Sequence, residues 1–115
     1  FPKLKVVAVH AGEHRYEDCV ALMLKNQNLY ANTSWWGFLQ PLERNIKVLK
    51  VAKHFMVLDK LLWGSDNHDI RVDLPLQKSL SSEDKKLNVA PGLPEVTNED
   101  MDNYLGGNAV KLYDI

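Results

Sequence analysis

Three short apolar runs constrain this 115-residue chain more than any other feature, because they begin at residues 4, 29 and 61, 25 and 32 residues apart. Residues 4–9 read LKVVAV and end at His10, residues 29–33 read LYANT, and residues 60–63 read KLLW before Gly64-Ser65-Asp66. Near-continuous hydrophobicity, rather than alternation, is the pattern of parallel strands covered on both faces. Helical periodicity fills the gaps. Cys19, Val20, Met23 and Leu24 form one stripe over residues 16–25, with Glu17 and Asp18 at the start, where the helix dipole favours acids, and Asn26-Gln27-Asn28 as the stop. From Pro41 a longer helix is predicted, with Leu42, Ile46, Leu49 and Met56 inward and Glu43, Lys47, Lys50 and Lys53 toward water. Strand-helix-strand units of this length favour parallel, right-handed crossovers. A closed (β/α)8 barrel has about 250 residues, or about 31 per unit. The spacing fits part of such a barrel, or an open sheet; the length forbids a complete one.

Beyond residue 70 the pattern is less regular. A short helix is predicted within 74–86, a loop over 88–94 (NVAPGLP), and a helix opening at Thr97, where Thr97 and Asp100 have capping-box spacing. Met101, Tyr104 and Leu105 supply its inner side, Gly106-Gly107 is expected to end it, and Asn108 to cap a last turn over 109–113. With 45% hydrophobic and 25% charged residues the chain is a folded single domain rather than a disordered one. No apolar run approaches the roughly 18 residues of a membrane span. A formal charge of −1 leaves no basic field for nucleic acid. One cysteine, Cys19, excludes an internal disulfide framework and a multi-cysteine zinc site; it suits a reducing, cytoplasmic setting and reads as core packing. The chain opens at Phe1-Pro2 with no signal-peptide pattern, and the expectation is that it begins within a larger fold.

Chemistry is expected at the carboxyl ends of the strands, the edge where parallel α/β folds bind ligands. His10 after the first strand can exchange protons near neutral pH. Asp66 after the third can reach a metal ion or take a proton from metal-bound water. Each has a plainer alternative: a hydrogen-bonding histidine, and a helix N-cap. No Gly-x-Gly-x-x-Gly or Walker-type loop follows any strand, which argues against a nucleotide fold.

Four segments in order carry a family resemblance over essentially the whole chain. Residues 1–12 (FPKLKVVAVHAG) resemble the "FPxLKxVxxHxG" strand of the amidohydrolase-related metal enzymes, which include aminocarboxymuconate-semialdehyde decarboxylase. Residues 29–34 (LYANTS) resemble its next strand, which usually ends Asp-Thr-Ser; residues 60–66 (KLLWGSD) resemble its "RILFGSD" strand, and residues 105–109 (LGGNA) its "ILGGNA" junction. The resemblance implies an α/β fold in which residues 1–115 are the C-terminal portion of a TIM barrel, strands six to eight with the closing helices. It also implies a divalent metal, usually zinc, otherwise manganese or magnesium, and a small-molecule substrate, with no nucleic acid or membrane partner; a homo-oligomer is allowed. His10 then stands where the family's sixth-strand histidine polarises substrate or acts as base, and Asp66 where its eighth-strand aspartate is catalytic and binds the metal. The remaining ligands, a His-x-His on strand one and a histidine on strand five, are not in this chain, so the chain as it stands is expected to be inactive.

Three positions depart from the family pattern. Glu13 replaces a second glycine, Asn67-His68 replaces Tyr-Pro after Asp66, and Asn32 replaces the strand-seven acid. Candidate substrate contacts are His68 (with Asp69), His14, Trp35 and Trp36, set against a polar loop, a polar helix start and aromatic packing respectively; His54 reads as structural. The competing functional reading is a self-standing, non-catalytic α/β module whose helices form an interaction surface.

Overall fold

A computed structural model describes residues 1–66 and 69–115; Asn67 and His68 lie outside the described residues, and with them the expectation placed on His68. Strands β1 (Val6–Ala8), β2 (Leu29–Asn32) and β3 (Leu61–Leu62) form one parallel sheet in the order β1-β2-β3. Val6 pairs with Leu29 and Ala8 with Ala31, which in turn pairs with Leu61. Helix α1 (Tyr16–Lys25) links β1 to β2, and α2 (Trp36–Leu39) and α3 (Leu42–His54) link β2 to β3. The α/β class and the parallel pairing agree with the sequence reading, and the sheet is open.

The first strand is shorter than its apolar run and is not covered on both faces. Val6 and the flanking Leu4 and Val9 are exposed, and among the described residues β1 is an edge strand paired with β2 alone. On α1, Tyr16, Cys19, Val20 and Met23 are buried as a stripe of three- and four-residue steps, and Leu24, one position further round, is exposed. Met56 lies beyond the end of α3 and is exposed as well.

Several sequence expectations from α3 onward are overturned. Lys50 does not face water: α3 packs against α1 on one side and α5 (Leu80–Leu87) on the other, which leaves Lys50 3% exposed. Its Nζ donates to Asp84 Oδ1 at 2.9 Å and to the Val89 carbonyl at 2.5 Å. Lys53, half-buried on the same helix, donates to Asp100 and to the Glu95 carbonyl. Thus α3 fastens the 88–96 loop with two lysines.

Nor do Gly106-Gly107 end the last helix. The expected capping box is present at the start of α6 (Asn98–Asp102), with Thr97 and Asp100 exchanging both bonds. The chain then passes through a π turn (Asn103–Gly107) straight into α7 (Asn108–Tyr113). A glycine stops a helix by turning left-handed, and neither of these does so. Asn108 consequently caps nothing. It is buried, and its Nδ2 donates to the Leu58 and Leu61 carbonyls at 2.9 Å each, while Trp63 N–H at the end of β3 donates to the Tyr104 carbonyl. The region predicted as one helix is two, α4 (Ile70–Lys78) and α5, divided at Ser79. Asp69 is the N-cap of α4, accepting from Arg71 N–H and paired with its guanidinium, and this holds its carboxyl below the usual range.

Candidate active site

β1 delivers His10 into an unusual turn. His10, Ala11, Gly12 and Glu13 all take left-handed backbone angles, with φ of 60, 48, 71 and 50°. For residues other than glycine this costs about 1–2 kcal/mol each. The turn persists because neighbouring elements tie it down. Asn32 Oδ1 accepts from His10 N–H at 3.1 Å, and Trp36 Nε1 donates to the His10 carbonyl at 2.8 Å. An Arg44 Nη2 reaches the Glu13 and His14 carbonyls.

The His10 ring lies between the ends of β2 and β3. Its Nδ1 is 2.8 Å from the Ser34 carbonyl oxygen and 2.9 Å from Ser34 Oγ. Its Nε2 faces Asp66 Oδ2 at 4.0 Å. Gly64 permits that approach: a Cβ there would lie 3.2 Å from the Ser34 Cβ, so the end of β3 packs against the end of β2 with little space to spare. The His10 and Asp66 side chains are 24% and 47% exposed, open enough for a small molecule to reach. Trp35 leans beside the imidazole, with ring centroids 6.1 Å apart and planes inclined by 44°.

Beneath this mouth runs a buried polar chain. The Tyr104 hydroxyl is bonded to Thr33 Oγ1 and donates to Gln77 Oε1. Gln77 Nε2 donates to Asn45 Oδ1, and Trp63 Nε1 donates to Asp73 Oδ2 at 2.9 Å. Burial, the pull of Thr33 notwithstanding, and the nearby Asp73 charge raise the Tyr104 pKa well above the ordinary range, so this hydroxyl remains a donor. Gly37 makes room for Asp73, since a Cβ on it would sit 1.8 Å from Asp73 Oδ1.

The structure therefore brings His10 and Asp66 to one mouth and sets Trp35 beside them. Trp36 is a core residue, 1% exposed, edge-on to Tyr16, and so has no surface to offer a substrate. His14 is exposed on the turn. Asp69 is occupied as a helix cap, and His54 is exposed at the end of α3 beside Phe55. Cys19 is buried, and burial raises its thiol pKa, as suits a packing residue. Sequence reasoning overlooked Ser34 and saw in Asn32 only a missing acid. The available signal was three consecutive polar residues, Asn32-Thr33-Ser34, at the carboxyl end of a buried strand.

Among the described residues, no three His, Cys, Asp or Glu side chains gather as metal ligands. A catalytic zinc takes about three from the protein, and Asp66 with His10 falls short of that. The described donors do not by themselves fit a metal centre.

Residues 1–115 match the family described as Amidohydrolase. The chain belongs to that family. Its members are enzymes, typically metal-dependent, and the family implies a TIM barrel. Comparison with curated proteins and with solved structures gives no match. Among the described residues, no helix of this amidohydrolase-family chain is long and apolar enough to cross a membrane.

Proposed function

We propose that the chain is the C-terminal part of a metal-dependent amidohydrolase-type enzyme, a hydrolase or decarboxylase of a small carboxylate-bearing or cyclic substrate. β1, β2 and β3 are the sixth, seventh and eighth barrel strands in this reading. The observation that carries it is the meeting of His10 and Asp66 across 4.0 Å at the carboxyl ends of β1 and β3, the rim where barrel enzymes work. The exposed apolar Val6 of β1, with Leu4 and Val9 on either side of the strand, adds support, as a surface suited to a further strand.

Because the described donors stop short of a metal site, the reading rests on what these two side chains do themselves. The Asp66 carboxylate accepts a proton and offers one metal ligand. The His10 imidazole exchanges a proton with substrate or steadies developing charge. A family metal, zinc or else manganese or magnesium, supplies Lewis acidity when bound, and its other ligands come from outside this chain.

Reading the coding sequence upstream of Phe1 tests the proposal. A His-x-His in a first strand and a further histidine before Phe1 are expected, and their absence overturns it. In the complete enzyme, Asp66→Ala is expected to abolish turnover while the protein stays folded; substantial residual activity rejects the role given to Asp66. The incomplete donor set among the described residues favours a second reading, a non-catalytic interaction module. Expressed alone, a module is a cooperative monomer with no zinc affinity, whereas an interrupted barrel is a poorly folded, self-associating species.

A further inference from the structure

We infer that Asn32 and Ser34 are positioning residues that hold His10 as the tautomer protonated on Nδ1, leaving a lone pair on Nε2 toward Asp66. The inference narrows the role of His10 within the function proposed above to proton acceptor, and its geometry stands independently of that function.

The polarity of the hydrogen bonds dictates the tautomer. Asn32 Oδ1 lies 3.1 Å from His10 N–H, 3.2 Å from Ser34 N–H and 2.7 Å from Ser34 Oγ. Two of these partners are main-chain N–H groups, which can only donate, so the amide oxygen faces them and the hydroxyl completes a set of three donors. Ser34 Oγ thereby commits its one hydrogen to Asn32. It presents a lone pair to His10 Nδ1, 2.9 Å away, and the Ser34 carbonyl presents another at 2.8 Å. A carbonyl cannot donate. The proton between the ring and Ser34 therefore belongs to Nδ1, and in the neutral imidazole Nε2 is bare. Nε2 and Asp66 Oδ2, 4.0 Å apart, are too distant to bond one another and together form a two-acceptor mouth suited to a water, whose two hydrogens can meet both. Asn32 touches no substrate position. It acts through the turn and through Ser34, and fixes where Nδ1 finds its acceptors.

The test is the ring-nitrogen signature in the complete protein that carries this chain, labelled with 15N-histidine and recorded by long-range 1H–15N correlation at about pH 8.5, two units above the ordinary imidazole range. The His10 signals are assigned by their disappearance in His10→Gln, and exposed His14 serves as the unconstrained reference. His10 is expected to show one tautomer, protonated at Nδ1 and bare at Nε2. Asn32→Leu is expected to lose this single pattern and give a mixture like that of His14, whereas Asn32→Asp, which keeps the acceptor, restores it. Should circular dichroism show Asn32→Leu unfolded, Asn32→Ser, which also removes the amide oxygen, takes its place. A wild-type His10 protonated at Nε2, or an unchanged pattern once the amide oxygen is gone, overturns the inference. No turnover enters the measurement. A locked ring in a catalytically dead parent enzyme counts against the proposed function alone, and an Nε2-protonated ring in an active enzyme against this inference alone.

Discussion

The two flanks of the sheet are built to opposite standards. On the β3 side, Leu61 and Leu62 are buried, the Leu61 carbonyl is taken by Asn108, and Trp63 N–H is taken by Tyr104. Behind that edge, Lys50 and Asp84 form an ion pair at 4% and 2% side-chain exposure. On the β1 side, Leu4, Val6 and Val9 present apolar surface to solvent, and Leu22 of α1 is exposed too. Backbone polar groups left unpaired away from water are costly, so the chain satisfies them wherever its own helices reach. Apolar side chains on an open strand edge invite another strand. The contrast places a self-sufficient edge on one flank and an exposed apolar edge on the other.

Substitutions can break that contrast. The largest effect is expected on the closed flank from Lys50→Met, which strands the buried Asp84 carboxylate and the Val89 carbonyl without their donor. Loss of one member of a buried pair costs about 3–5 kcal/mol, visible as a large fall in the urea midpoint. Asn108→Leu removes two donors from buried carbonyls and is expected to cost about 1–3 kcal/mol by the same measurement.

The acid limb of stability sharpens the same picture. Burial alone would raise the Asp100 pKa, but hydrogen bonds from Lys53 and Thr97 outweigh it and bring the value below its ordinary 3.8. A carboxyl depressed in the folded state stabilises above the unfolded value, and that contribution is lost as pH falls through the folded one. Asp100→Asn should therefore flatten the loss of stability below about pH 4, and an unaltered acid limb would remove Asp100 from the clamp. The smallest change is expected on the open flank. Val6→Lys should alter the unfolding free energy by no more than about 0.5 kcal/mol while reducing self-association in sedimentation. A penalty comparable to that of Asn108→Leu would mean the two edges are alike after all.

How much of this was legible in the sequence varied with how local the cause was. The Thr97–Asp100 box and most of the α1 stripe (Cys19, Val20 and Met23, but not Leu24) follow from spacings within a turn or two, and the parallel order from the regular spacing of the apolar runs. Lys50 was misread because helical periodicity marks one inward face, and α3 has partners on two sides. Gly106-Gly107 resemble a stop by composition, yet the helix is held through them by contacts from distant β3. In the site, His10 and Asp66 were legible as capable residues at strand ends. Asn32 and Ser34 were not, because their part depends on the left-handed turn that follows β1, and an apolar β-branched run gives no hint of that turn.

The π turn at Asn103–Gly107 has one more consequence. A helix with a wider loop carries a surplus residue, and each residue of an α-helix advances by about 100° around its axis. Deleting one residue there would yield a more regular helix and a worse protein, since everything after it would rotate by that angle and carry Asn108 off the carbonyls it serves. The irregularity is thus a phase adjuster: it sets the rotation at which the tail of the chain meets the sheet, and the length of that segment is under tighter constraint than its composition.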